Sequence, residues 1–203
     1  MRKPIFTDLV ELHSTTVVPS VLSKSEKKFI NKITIIVAVV SVSPSGKSIS
    51  SALRCWNRLE KHQCKGYIKI FLDDVLNEIQ WSCPNCEMNG IIKKWRDTDW
   101  DLSKEIKNKR TVESDYEELC KVLITDREYQ YLLKEDIDID SRIIILKARY
   151  TNKGIQVSAS VEDMRSFIGH ISSKAEDEES TAKQNTFYNI CSKIEKSINK
   201  IID

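Results

Sequence analysis

Four cysteines in the first half of the chain have the residue type and the spacing of a metal site: Cys55, Cys64, Cys83 and Cys86. Cys83 and Cys86 flank a Pro-Asn pair, and thiolates this close in sequence reach one ion where the backbone turns tightly. Eighteen residues lie between Cys64 and Cys83, which is within the spacing of four-cysteine zinc sites. Four thiolates favour Zn²⁺ in a closed structural site. The sequence therefore predicts one tetrahedral structural zinc site and no catalytic residue.

The first cysteine pair leaves other interpretations open. Eight residues separate Cys55 from Cys64, so these two ligands require a hairpin with an enlarged tip. His62 lies within this tip and is an alternative ligand that would leave Cys64 free. The four thiols could also be unrelated reduced cysteines. An iron–sulfur cluster is disfavoured, because its cysteines usually form a denser run.

The same enlarged tip is a candidate contact surface. It carries Arg58, Lys61 and His62 beside Trp56, and Lys65 follows the second cysteine directly. A rigid loop with cations and an aromatic ring can contact phosphates and stack on a base. The plainer interpretations are a solvated basic loop, or a surface that docks on an acidic neighbour. We therefore expect either a nucleic acid or a protein as the partner.

Charge and hydropathy limit the function classes. Residues 1–110 carry a net charge of +7 and residues 111–203 one of −5, which leaves +2 for the whole chain. Acidic residues interrupt the apolar start that a signal peptide needs. The longest apolar stretch, 33–42, is far shorter than the roughly 18 residues of a membrane span. We expect a cytoplasmic protein without membrane contact, whose thiols stay reduced and available to metal.

A small β-rich module must position the predicted zinc site. Apolar spacing predicts short N-terminal helices at 5–14 and 21–31. Runs of β-branched residues and alternating polarity predict strands at 33–42, 49–54, 67–72, 78–82 and 91–95. All four tryptophans fall between residues 56 and 100. Large aromatic side chains and a metal together can stabilise a sheet that is too small to bury much area.

The remainder of the chain is predicted to be mainly helical. The polar segment after residue 102 marks a boundary between a first domain, 1–102, and a second one, 111–203. Helical stripes of apolar residues occur in the segments 112–123, 129–133, 160–171 and 187–201. Two strands, 142–150 and 155–160, are predicted to form one β-hairpin around Asn152-Lys153-Gly154.

One stretch, about residues 36–102, resembles a pattern in small uncharacterised bacterial proteins. The resemblance rests on a zinc-ribbon-like Cys-Pro-x-Cys, a following Asn-Gly-x-Ile and a Trp-x-x-Thr-x-Trp-Asp tail. In this sequence the matching residues are Arg54-Cys55, Cys64 to Ile68, Ile79 to Cys86, Asn89 to Ile92, and Trp95 with Thr98 to Asp101. The resemblance implies a shared metal site and no particular activity.

Together these patterns predict an α+β protein. A zinc-ribbon-like antiparallel β module precedes a mainly helical domain with one β-hairpin. The predicted function is that of a non-enzymatic zinc-binding adaptor or regulatory protein, which acts through protein or nucleic-acid contacts. The alternative is an enzyme whose active site lies in the helical half or between the domains, with a structural zinc module. The sequence offers no residues to name for that alternative.

Overall fold

The computed structural model is an α+β structure, as the sequence predicts. It describes residues 5–9, 23–43, 48–59, 62–109 and 119–202. The chain forms two compact units, Met1–Thr111 and Val112–Asp203. Among the described residues, no helix combines the length and the apolar character that crossing a bilayer requires.

The first unit is built on a five-stranded sheet. Its elements are β1 (Ile5–Asp8), α1 (Lys24–Ser41), β2 (Ile49–Arg54), β3 (Arg58–Leu59), β4 (His62–Gln63), β5 (Tyr67–Asp73), β6 (Glu78–Ser82), β7 (Asn89–Lys93) and α2 (Ser103–Lys109). The strands lie in the order β1-β7-β6-β5-β2. All neighbours in this sheet are antiparallel except β1 and β7, which are parallel. Strands β3 and β4 form a separate two-stranded ribbon.

Alternating side chains give this sheet one buried and one open face. Along β5, Ile68, Ile70 and Leu72 are buried whereas Lys69 and Phe71 are exposed. Strand β6 repeats the alternation, with its apolar residues buried and its polar residues exposed. The predicted strands at 49–54, 67–72 and 78–82 are confirmed. In the last two, period-two alternation is the direct signature of a half-buried strand.

Helix α1 overturns the strand predicted at 33–42. The Ser23 side chain caps the helix by accepting a hydrogen bond from the Glu26 N–H, and the Glu26 carboxylate accepts one from the Ser23 N–H at 2.7 Å. Its buried residues include Ile33, Ile36, Val37, Val39 and Val40. In its second half, residues 33–41, the helix has no exposed position and therefore no polar stripe, so its β-branched residues imitate a buried strand.

The first predicted helix, 5–14, is also wrong in its described part. Ile5–Asp8 forms β1 and pairs with β7, so that Ile5 lies beside Gly90. A short strand that depends on a distant neighbour has no local sequence signal. Residues 10–22 lie outside the described residues, and so do residues 44–47, between the predicted strands 33–42 and 49–54.

The second unit contains three strands and four helices among its described residues. They are β8 (Cys120–Ile124), α3 (Asp126–Leu132), α4 (Ile139–Leu146), β9 (Arg149–Thr151), β10 (Gly154–Ala159), α5 (Val161–Glu176) and α6 (Thr181–Ile202). Strand β10 is antiparallel to both β9 and β8. The predicted hairpin is thus present as β9–β10 and gains β8 as a third strand. Helix α6 packs against α5 and β8.

Two predictions in the second unit need correction. The stripe predicted as helical at 112–123 ends in strand β8, whose residues alternate between buried and exposed positions. The strand predicted at 142–150 is helix α4 followed by the short β9, because Asp138 caps α4 with bonds from the Asp140 and Ser141 N–H groups. Helix α3 begins with a capping box of Thr125 and Glu128, and the Ser160 side chain caps α5.

Candidate metal centre

The four predicted cysteines lie at the tips of two neighbouring hairpins. Cys55 follows β2 and Cys64 comes shortly before β5, whereas Cys83 follows β6 and Cys86 comes shortly before β7. Because β5 pairs with β6, both tips lie at the same end of the sheet. A backbone hydrogen bond closes the first tip, from Cys55 N–H to the Gly66 carbonyl at 2.9 Å. An equivalent bond, from Cys83 N–H to the Met88 carbonyl at 2.8 Å, closes the second.

The four sulfur atoms form one cluster. All four Sγ atoms lie within 4.8 Å of one another. Two distances cross between the tips: 3.6 Å from Cys55 to Cys86, and 3.7 Å from Cys64 to Cys83. All four thiols are free. Cys55, Cys64 and Cys83 are buried and Cys86 is partly exposed. This arrangement can hold one metal ion.

Each sulfur receives a backbone N–H from the residue two positions later. The Asn57 N–H donates to Cys55 Sγ, and the Gly66 N–H to Cys64 Sγ, both at 3.4 Å. In the second tip the N–H groups of Asn85 and Met88 serve Cys83 and Cys86 in the same way. Hydrogen bonds to a charged acceptor favour its charged form. The backbone is therefore already arranged to stabilise four thiolates.

Burial and hydrogen bonding shift the pKa values of three cysteines in the cluster. Burial raises the pKa of Cys55 and Cys83 above the usual thiol range. Burial also raises the pKa of Cys86, but the Asn57 side chain and the Met88 N–H outweigh it and lower the value to about 7. Thiolates this close repel one another, so the fully ionised cluster requires a bound positive charge.

A two-stranded ribbon explains the unusual spacing of Cys55 and Cys64. Strands β3 and β4 pair Arg58 with Gln63 and Leu59 with His62. The ribbon is anchored at its base, where the Cys64 N–H donates to the Asn57 carbonyl at 2.8 Å. It adds residues without separating the two ligands.

His62 does not belong to the cluster. It lies exposed on β4, and the groups of described residues that can hold a metal comprise the four cysteines alone. The alternative in which His62 replaces Cys64 is therefore not favoured by the geometry. Cys120 and Cys191 are buried in the second unit and take no part in the cluster.

Close packing at Gly66 was not predicted from the sequence. A Cβ atom at this position would lie 2.6 Å from Cys83 Sγ and 2.9 Å from the Asn85 Cβ. The two tips therefore approach each other closely only because residue 66 has no side chain. A Cys-x-Gly sequence beside a ligand is the signal that could have identified this contact.

The predicted contact residues surround the first tip. Arg58, His62 and Lys65 are exposed, and Lys61 lies outside the described residues. Trp56 is half-buried and packs on Trp81, with ring centroids 4.9 Å apart. Trp56 thus supports the site from beside the ribbon, while the exposed side chains present positive charge to solvent.

The Trp-x-x-Thr-x-Trp-Asp segment forms a hydrogen-bonded loop after β7. The Thr98 hydroxyl donates to the Trp95 carbonyl at 2.7 Å. The buried Asp101 carboxylate accepts from the N–H groups of Asp97 and Ser103, each at 3.1 Å. These residues have a structural role, because they fix the chain where it leaves the sheet.

The sequence matches no protein-family model, and it matches neither a curated protein nor a solved structure. The resemblance to small bacterial proteins with a zinc-ribbon-like module stays a prediction. The case for a metal centre rests on the geometry of the four thiols.

Proposed function

We propose that Cys55, Cys64, Cys83 and Cys86 bind one Zn²⁺ in a zinc-ribbon-like structural centre. With four zinc–sulfur bonds of about 2.3 Å, the sulfur atoms of a regular tetrahedron lie about 3.8 Å apart. The distances of 3.6 Å and 3.7 Å between the tips agree with this value. This agreement is the observation that carries the proposal.

The chemistry of the donors supports zinc over other metals. Soft thiolates select zinc, copper(I) and iron–sulfur chemistry, and a tetrahedral set of four sulfurs is typical of zinc. Each tip contributes two cysteines, so one ion joins β2 and β5 to β6 and β7. The ion thereby replaces the apolar core that this end of a small sheet lacks.

The proposed centre is closed, and this favours a non-enzymatic role. A catalytic zinc keeps one position open for water, whereas four thiolates fill all four positions. We therefore propose that the protein is a cytoplasmic adaptor or regulatory protein that acts through binding. The exposed cations Arg58, on the ribbon, and Lys65, directly after Cys64, favour a nucleic acid as the partner.

Metal analysis of the purified full chain tests the zinc centre. We expect one zinc per chain in the wild type, and none in the double variant Cys83→Ser/Cys86→Ser. The single variants Cys120→Ala and Cys191→Ala are the controls, because they remove buried thiols outside the cluster and should retain one zinc. A wild-type protein that folds without zinc, and does not take it up, would refute the proposal.

The salt dependence of binding tests the partner class. Phosphate contacts release counterions, so the affinity for a nucleic acid should fall steeply as salt increases. Replacing Arg58 and Lys65 with Ser should reduce that dependence, whereas Lys153→Ser, an exposed lysine of the second unit, should not. A salt response that is flat in the wild type would indicate a protein partner instead.

A further inference from the structure

The open face of the first unit's sheet carries a groove of about 470 Å³. The argument concerns six of its lining residues, which come from three adjacent strands: Lys69, Phe71, Gln80, Ser82, Asn89 and Ile91. This surface is distinct from the ribbon between the first two cysteines, and neither the metal centre nor the ribbon uses it.

Strand register arranges these side chains in two rows. Lys69, Ser82 and Asn89 form the row nearer the cysteine tips, since Lys69 pairs with Ser82 and Ser82 with Asn89. The next row away from the tips contains Phe71, Gln80 and Ile91, since Phe71 pairs with Gln80 and Gln80 with Ile91. Each position within a row is about 5 Å from its neighbour. Cationic, amide and aromatic groups therefore stand side by side.

The charges along this face are polarised. None of the described residues that line the groove is acidic. Lys69 is exposed and makes no ion pair with a described residue. One step nearer the tips, the Arg54 guanidinium lies 4.9 Å from the centre of the Tyr67 ring, which faces the same side. At the opposite end Glu78 is neutralised by Lys93 at 2.6 Å. Lys69 and Arg54, whose guanidinium donates to the Lys65 carbonyl at 3.2 Å, thus lie at the end of this face that is nearer the metal centre.

Phe71 gives the groove its apolar platform. Its side chain lies on the open face in the middle of β5, and the residue is 39% exposed. An exposed ring in the centre of a sheet can stack on a base, and stacking tolerates any base because each has a π-face. The neighbouring Gln80 amide offers both a donor and an acceptor to a base edge.

We propose that this face binds single-stranded nucleic acid, with a base on Phe71 and the adjoining phosphate near Lys69 and Arg54. The inference deepens the proposed function, on which it rests, by naming the class of nucleic acid and the surface that contacts it. A duplex hides its base faces in the stack, so it cannot use Phe71 in this way.

Fluorescence anisotropy with labelled 12-nucleotide oligomers of one mixed sequence tests the proposal on the zinc-loaded full chain. Single strands should bind more tightly than the matching duplex. Phe71→Ala should weaken single-strand binding roughly 5- to 150-fold, whereas Phe71→Tyr should stay within about threefold, because it keeps the ring. Lys69→Ser should reduce the slope of log affinity against log salt by about 0.7.

Tyr188→Ala is the matched control, because Tyr188 is an aromatic residue of similar exposure, 44%, in the second unit. It should leave binding unchanged. RNA and DNA oligomers are compared in parallel, and binding of either supports the proposal; a preference for RNA would show that the groove also contacts the 2′-hydroxyl.

Three results would overturn the proposal. They are equal binding of duplex and single strand, wild-type affinity in Phe71→Ala, and no binding of any oligomer by a chain that contains one zinc. The last result leaves the zinc centre intact and removes only the nucleic-acid partner. Loss of binding on replacing Arg58 and Lys65, with Phe71→Ala unaffected, would assign the contact to the ribbon instead.

Discussion

Gly66 offers the sharpest test of the metal centre, because its position depends on the two tips being in contact. A methyl group at residue 66 would lie 2.6 Å from Cys83 Sγ and 2.9 Å from the Asn85 Cβ. Favourable contacts between such atoms need about 3.5–4.0 Å. In Gly66→Ala, the sulfur or the chain at residue 66 must therefore move by roughly 1 Å.

That movement is large for a zinc ligand. Zinc–ligand distances in real sites vary by about 0.2 Å, so a sulfur shift of this size would distort the tetrahedron, and a shift of residue 66 instead would strain the adjoining tip. Forcing an extra methyl group into a packed site costs about 1–3 kcal/mol. Because the metal binds only the folded tips, the same amount should appear as a loss of roughly 5- to 150-fold in zinc affinity.

The assay is competition for zinc against a chelator of known affinity, combined with thermal unfolding. Gly169→Ala is the matched control, because Gly169 lies in α5 with no atom within 4 Å of the added Cβ. This control should keep the wild-type zinc affinity, and it should gain up to about 1 kcal/mol of stability, since alanine favours helices. Wild-type zinc affinity in Gly66→Ala would refute the proposed contact between the tips.

Two further predictions concern packing and ionisation. Burial raises the pKa of Glu128, but the Lys193 ammonium and the Thr125 cap outweigh burial, so folding lowers this pKa. The stability that the Glu128 carboxylate contributes is therefore complete above about pH 4.5. It disappears as the pH falls through the pKa of the folded state. Glu128→Gln should therefore lower the free energy of unfolding by about 1–3 kcal/mol at pH 7. Urea unfolding should also show a weaker dependence of this free energy on acidic pH. A pH dependence equal to that of the wild type would contradict this prediction. In Gly90→Ala, the new Cβ would lie 2.5 Å from Trp81 Cζ2 and 2.6 Å from the Ile5 carbonyl oxygen. Because this clash pushes β1 away from β7, hydrogen exchange of the β1 amides should accelerate. Unchanged protection of these amides would show that β1 does not depend on the close approach at Gly90.

The cluster of four cysteines could be predicted from the sequence, because a candidate metal site depends on residue type and local spacing. Cys83 and Cys86 are only three positions apart, and a turn between them suffices to bring their sulfurs together. The first tip, which carries Cys55 and Cys64, could not be predicted in the same way. The ribbon that brings Cys55 beside Cys64 is stabilised by pairing between β3 and β4, and this pairing has no strong signal in four residues.

Helix α1 shows why local propensity failed. The run of Ile and Val at 33–42 has the composition of a strand, and β-propensity is in large part a preference for buried surroundings. A buried helix offers the same surroundings, so composition cannot distinguish the two. The decisive signal was the capping box of Ser23 and Glu26, ten residues upstream of the run, which marks a helix start independently of burial.

Strands β1 and β8 show a second limit. Ile5–Asp8 pairs with β7, which lies far along the chain, and Cys120–Ile124 pairs with β10 across the intervening helices. The stability of such strands comes from partners that sequence spacing does not identify. The Thr125–Glu128 capping box, in contrast, was predictable because both of its hydrogen bonds lie within three residues.

The proposed metal centre and the proposed nucleic-acid face share strands, so we expect their binding equilibria to be interdependent. Ser82 belongs to the row of the groove that is nearer the cysteine tips, and it directly precedes Cys83. Lys69 is in the same row, on the strand that follows Cys64. A bound zinc fixes the ends of β5 and β6 and therefore the spacing of that row. If zinc raises the affinity for a single-stranded oligomer by some factor, the oligomer must raise the affinity for zinc by the same factor.

This reciprocity can be measured with a chelator competition in the presence and absence of a saturating oligomer. Phe71→Ala should reduce the difference at the same oligomer concentration, because it weakens the base contact and leaves the thiols in place. A face that binds nucleic acid without altering zinc affinity would show that the sheet keeps its register without the ion. In that case the zinc would stabilise only the tips and the ribbon that lies between Cys55 and Cys64.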